Sequence, residues 1–150
     1  PEDVRSMLLP LHVGVNILGV VAFALAFAVA LAYVIQERLL RRKQLGGLFQ
    51  RLPPLDVLDS LAFRLVTIGF PLLTVGIVTG AIVAARIGGE DAGLNASRLT
   101  AMLAWLFFAG VLFLRVLAGW RGRRAAIGTM LGFVCAVFVL VGYVIRAEAF

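Results

Sequence analysis

Charged side chains are scarce in this chain: Asp, Glu, Lys and Arg make up 15% of its 150 residues, against about 25% in soluble domains. Apolar residues fill the gap, with 62% AVILMFWYC and a mean hydropathy of +1.04. A globule of this size has too much surface to hide so many apolar groups, so the excess must face lipid. A water-soluble enzyme, a disordered segment and a disulfide scaffold are excluded. Cysteine occurs once, as Cys135 inside an apolar run, which rules out an internal disulfide and a CxxC redox pair and suits a small packing residue. Histidine also occurs once, at His12. There is no Ser/His/Asp set, no phosphate-cradling glycine loop and no metal-ligand cluster, and Asp56 or Asp59 reads as the cap of the second helix. The chain is therefore expected not to be an enzyme.

The formal charge of +6 would suit nucleic acid if the basic residues formed one face. They fall instead in short clusters between apolar runs, where membrane proteins carry topology signals, so no nucleic-acid partner is expected. Four runs are long enough to cross a bilayer: Leu11 to Ile35, Leu58 to Ala85, Leu99 to Ala118 and Ala125 to Ile145. The first is too long for a signal peptide and lacks a cleavage-like end. The expected fold is all-α: a four-helix transmembrane bundle over 11–150, preceded by an outer stub at 1–10.

Lys and Arg orient it. Arg38, Arg41, Arg42, Lys43, Arg51, Arg64, Arg115, Arg121, Arg123 and Arg124 lie toward one side, against Arg5, Arg86, Arg98 and Arg146 on the other. The excess marks the cytoplasmic side and puts both termini outside. The cytoplasmic link 37–56 alternates leucines with basic residues, which suits a segment lying on an anionic leaflet, and Arg64 is placed to snorkel or to pair with Asp59 or Asp56.

Polar groups within a span must face protein or a cavity. His12, Asn16, Gly19 and Phe23 fall on one helical face at the outer end of the first span. Spacing leaves open whether His12 is a solvated or capping side chain or a metal ligand such as haem iron uses. In the second span Gly69, Pro71, Gly76 and Gly80 mark a kink and a GxxxG packing face, and Gly128 and Gly132 repeat that spacing in the fourth. Those two helices are the expected tightest contact, within the chain or between subunits. Trp105, Phe108, Ala109 and Leu112 form a stripe on the third span, read as packing or lipid surface.

Several phrases then carry a resemblance in order: LHV opening a helix that ends YVIQER, LDSLAFRLVTIGFPLLTVGIVTGAI (58–82), LAWLFFAGVLFLR (103–115) and GWRGRRAA (119–126). Together they resemble the cytochrome c assembly family, which includes CcsA/ResC-type haem proteins, HemX proteins and YpjD-like inner-membrane proteins. The resemblance implies haem handling at the outer face of a bacterial inner membrane, haem passing toward apocytochrome c thiols, and an axial-ligand position for His12. HemX-type relatives are linked instead to control of haem biosynthesis. Full-length relatives have roughly twice as many spans, so the chain looks like their C-terminal half, with a missing N-terminal half or other membrane subunits as partners beside the lipid. The family's tryptophan-rich loop is replaced: Leu94 and Asn95 stand where Trp and Asp would, and Ser97 where Lys would. The family's later outer histidine is also absent from GYVIRAEAF at the end. A non-catalytic subunit that keeps the scaffold without haem is the alternative the residues support.

Overall fold

The computed structural model describes residues 2–87 and 96–148, and every regular element among them is helical. Helix α1 runs from Glu2 to Arg41, a short α2 from Leu48 to Arg51, α3 from Leu55 to Ile87, α4 from Ala96 to Leu117 and α5 from Arg123 to Glu148. Three stretches, Ser6–Arg41, Leu55–Arg86 and Arg98–Leu117, are long and apolar enough to cross a membrane. The segment expected as a stub is part of α1 from Glu2 onward, with Pro10 inside the helix. Most of the loop read between Ile87 and Ser97, including Leu94 and Asn95, lies outside the described residues.

The most extensive packing joins α1 and α3, which run antiparallel in strict register. Gly19 of α1 sits against Leu72, Phe23 against Gly69, Asn16 against Gly76 and His12 against Gly80, so each turn up α1 meets the next turn down α3. Ala22, Ala26 and Ala30, spaced four apart, are buried on α1. Small residues let the helices approach closely, which matters because lipid supplies no hydrophobic force between helices and packing must rely on dispersion and polar contacts.

Within the chain the two GxxxG faces do not pair with each other. The helices expected as second and fourth spans, α3 and α5, touch little. Gly76 and Gly80 accept side chains of α1, whereas Gly128 and Gly132 accept Val111 and the Phe107–Phe108 pair of α4. A glycine groove fixes that something fills it; side-chain size on the neighbours decides what, and here polar, aromatic and aliphatic groups do so.

Phe23, Ala26, Val66 and Phe108 form the core, with Leu65, Phe70, Leu73, Leu112 and Phe133 packed on it. Phe108 stacks on Phe23 at 4.1 Å between ring centroids. The third-span stripe is thus a packing surface, with Trp105 Nε1 donating to Thr74 Oγ1 at 2.9 Å. Cys135 is not a packing residue: it faces outward on α5.

Between α1 and α3 the chain turns through Lys43 (φ 56°) and Gly47 (φ 59°). Gln36, itself buried, donates from Nε2 to the Pro53 carbonyl at 2.7 Å and ties the end of α1 to the start of α3. Neither Asp56 nor Asp59 caps α3 in the structure; the Pro54 carbonyl takes the first amides, those of Val57 and Leu58.

Candidate functional site

At the end of the bundle formed by the start of α1 and the close of α3, three polar side chains converge. His12 and Asn16 are four residues apart, hence on one face, and Thr79 meets them from α3. Thr79 Oγ1 lies 2.8 Å from the Val75 carbonyl and 3.1 Å from that of Gly76. When the hydroxyl's one proton goes to one of those carbonyls, the 2.9 Å contact between His12 Nδ1 and Thr79 Oγ1 has the ring donating. That assignment puts the proton on Nδ1 and the lone pair on Nε2, the tautomer that can ligate through Nε2.

Asn16 steadies the ring from the same helix. Its Nδ2 donates to the His12 carbonyl at 2.7 Å and stands 3.1 Å and 3.2 Å from the two ring nitrogens, so the amide lies against the ring rather than on one lone pair. Glycine stands opposite both: a Cβ at Gly80 would fall 2.9 Å from His12 Cε1, and one at Gly76 2.5 Å from Asn16 Oδ1, so either side chain would have to shift. The two glycines thus seat an imidazole and an amide.

His12 and Asn16 line a cleft of about 510 Å³ together with Gly76, Gly80, Arg98 and Met102. That volume is in the range of small-molecule and cofactor sites. An adjoining apolar groove shares Ile77 and Met102 and continues to Thr74 and Trp105. Among the described residues no group of three or more His, Cys, Asp or Glu could hold a metal ion. The donor set here is one imidazole in an apolar cleft with a cationic side chain on its lining.

The sequence pattern of the cytochrome c assembly proteins matches residues 3–146. The chain belongs to the cytochrome c assembly protein family. It is 41% identical over 85 residues to a cytochrome c biogenesis protein CcsA of Synechococcus, an alignment covering 57% of this chain and 24% of the relative. The corresponding protein of Gloeothece citriformis is 41% identical over 85 residues, 57% of this chain and 26% of the relative. That of Cyanophora paradoxa is 43% identical over 76 residues, 51% and 24%. The matched stretch thus spans about a quarter of the curated relatives. No solved structure matches the chain. The family and the apolar helices together make this a membrane protein of the cytochrome c assembly family.

At the opposite end of the bundle this assembly-family chain holds a second polar cluster. Arg115 of α4 grips Asp59 of α3, Nη1 to Oδ1 and Nη2 to Oδ2 both at 2.8 Å, and its Cζ lies 4.5 Å from the Phe63 ring centroid. Asp59 Oδ1 also accepts the Gly122 amide at 3.1 Å. Arg64, expected to snorkel or to pair with Asp59 or Asp56, faces outward and forms no ion pair among the described residues. Arg64 and Asp59 lie five residues apart on α3, off the three- and four-residue spacings that bring side chains together, whereas Arg115 faces Asp59 across the α3–α4 seam.

Of the residues singled out in the sequence, His12, Asn16, Gly76 and Gly80 come together, while Gly69 seats Phe23. Pro71 lies within an α3 that runs unbroken past it. Gly128 and Gly132 belong to the α4–α5 seam. Arg41, Arg42, Lys43, Arg121, Arg123 and Arg124 lie at the other end. Thr79 and the Asp59–Arg115 pair were not assigned these roles from sequence. The signal for the pair was a carboxylate and an arginine each one turn inside an apolar run, where neither is cheap to leave unpaired.

Proposed function

We propose that the chain is a haem-handling part of a cytochrome c biogenesis protein, not an enzyme, with His12 holding haem at the outer face. The observation that carries this is the His12–Thr79 contact, which leaves Nε2 with its lone pair on an imidazole lining a cofactor-sized cleft. The relatives named as cytochrome c biogenesis proteins support the same reading. Haem, the cargo, would supply iron for the imidazole to bind. Thr79 and Asn16 hold the ring in one tautomer and orientation, Gly80 and Gly76 make room for it, and Arg98 adds positive charge for a ligand that carries carboxylates. The chain has one histidine, so His12 would be the imidazole it offers to haem iron.

In this reading α5 is a fourth span: its 26 residues reach ~39 Å at 1.5 Å per residue, more than the ~30 Å hydrocarbon core. The end holding Arg38, Arg41, Arg42, Lys43, Arg115, Arg121, Arg123 and Arg124 faces the cytoplasm of a bacterial inner membrane, and both termini face out. Apocytochrome c and the remainder of the larger protein are the partners.

The test is the visible spectrum of the protein purified in mild detergent, oxidised and reduced. Wild type should carry a Soret band that His12→Ala removes. A wild type without haem that still co-purifies stoichiometrically with a partner complex would overturn the reading.

A further inference from the structure

Where α1 ends and α5 begins, two separate stretches of sequence build a basic recess. Val34, Glu37, Arg38 and Arg41 occupy one face of α1, at the i, i+3, i+4, i+7 spacing, and Arg123 joins them from the first turn of α5. The recess holds about 50 Å³, under two water volumes, which suits the oxygens of one phosphate group. Arg41 Nη2 is held by Glu37 Oε1 at 2.8 Å. Arg38 and Arg123 form no ion pair among the described residues. Three guanidiniums against one carboxylate leave two net positive charges.

Below this head the two helices present apolar stripes. Arg123, Ile127, Leu131 and Val134 lie on one face of α5, and Leu31, Ile35 and Arg38 on one face of α1, with all the apolar members outward. A cationic pocket at the membrane surface with apolar tracks leading into the bilayer has the shape of a phospholipid. We propose that this recess binds the phosphate of an anionic phospholipid, of phosphatidylglycerol type, with its acyl chains along the α1 and α5 stripes. The inference rests on the chain's place in a membrane and not on haem binding.

Native mass spectrometry of the whole chain in detergent tests it, with phosphatidylglycerol and phosphatidylcholine of the same acyl chains as probes. Wild type should retain phosphatidylglycerol preferentially and should melt higher in its presence than with phosphatidylcholine. Arg38→Gln and Arg123→Gln should each weaken retention by about fivefold, Arg64→Gln should leave it unchanged, and Arg38→Lys with Arg123→Lys should preserve most of it. Equal retention and equal melting with the two lipids would overturn the proposal, and that comparison needs no variant to fold. So would an Arg38→Gln/Arg123→Gln protein that keeps phosphatidylglycerol as wild type does. Displacement of the lipid by an equal concentration of inorganic phosphate would assign the recess to a soluble anion instead.

Discussion

The guanidinium of Arg115 and the carboxylate of Asp59 face each other in two parallel 2.8 Å contacts, with side chains only 11% and 17% exposed. Because Asp59 also accepts the Gly122 amide, one carboxylate joins α3, α4 and the turn into α5. Dispersion contacts between apolar helices do not by themselves select one rotation or depth. A directional, bidentate pair does.

Replacing Arg115 by Leu strands the Asp59 charge and should cost about 3 kcal/mol, read as unfolding in detergent. The Asp59→Leu/Arg115→Leu double variant should recover much of that loss, since neither charge is then left alone. A single-variant loss below ~1 kcal/mol, the range of exposed pairs, would show that the pair is solvated and does not fix the helices.

Gly122 carries a positive φ of 70°, and a Cβ there would lie 2.7 Å from the Tyr33 hydroxyl. Gly122→Ala should therefore destabilise the bundle by about 1–2 kcal/mol from backbone strain alone, with the hydroxyl contact added. Tyr33→Phe in the same chain should relieve the contact and leave the strain, giving partial recovery of the thermal midpoint. Full recovery would mean the turn is unstrained.

Alanine is a better helix former than glycine by about 1 kcal/mol, so Gly→Ala within a helix ordinarily stabilises. Gly14, with nothing within 4 Å of its would-be Cβ, should follow that rule. Gly80 should reverse it, because the new methyl meets His12 Cε1 at 2.9 Å. Thermal midpoints of Gly14→Ala and Gly80→Ala should move in opposite directions, and Gly80→Ala should also lose haem retention if His12 is the ligand. Parallel shifts would count against the seating of the ring on Gly80.

Thr79→Val keeps the shape of the side chain and removes the oxygen that receives His12 Nδ1–H. Loss of such a ring-orienting partner weakens metal binding by about tenfold or more. Haem titration in detergent should show this for Thr79→Val, while Thr79→Ser should behave as wild type. Equal affinity in all three proteins would mean that the ring is oriented by Asn16 alone.

Much of this molecule was legible as a string. Apolar run lengths located the helices, though α1 extends past its apolar run at both ends, from Glu2 to Arg41, where polar residues continue the helix beyond the apolar stretch. The face carrying His12 and Asn16 was readable because helical periodicity places residues four apart together. Thr79 was not, because nothing local tells one threonine of α3 from Thr67 or Thr74, each of which also bonds its own preceding turn. The GxxxG motifs were seen but their neighbours within the chain were not, since a motif records a groove on one helix and carries no information about the side chain that enters it.

Composition by itself determined that the chain lives in a membrane, and charge distribution grouped its basic residues at one end, because transfer energies and helical spacing are properties of each segment alone. The tertiary structure decided the rest: that Gly80 seats an imidazole, that Asp59 answers Arg115 and not Arg64, and that Arg38 and Arg123, far apart in the chain, share one recess. In lipid the helices gain little from merely hiding apolar surface. Their pairing is settled by shape and by the few polar groups that must find partners, and those partners are distributed across helices rather than along them.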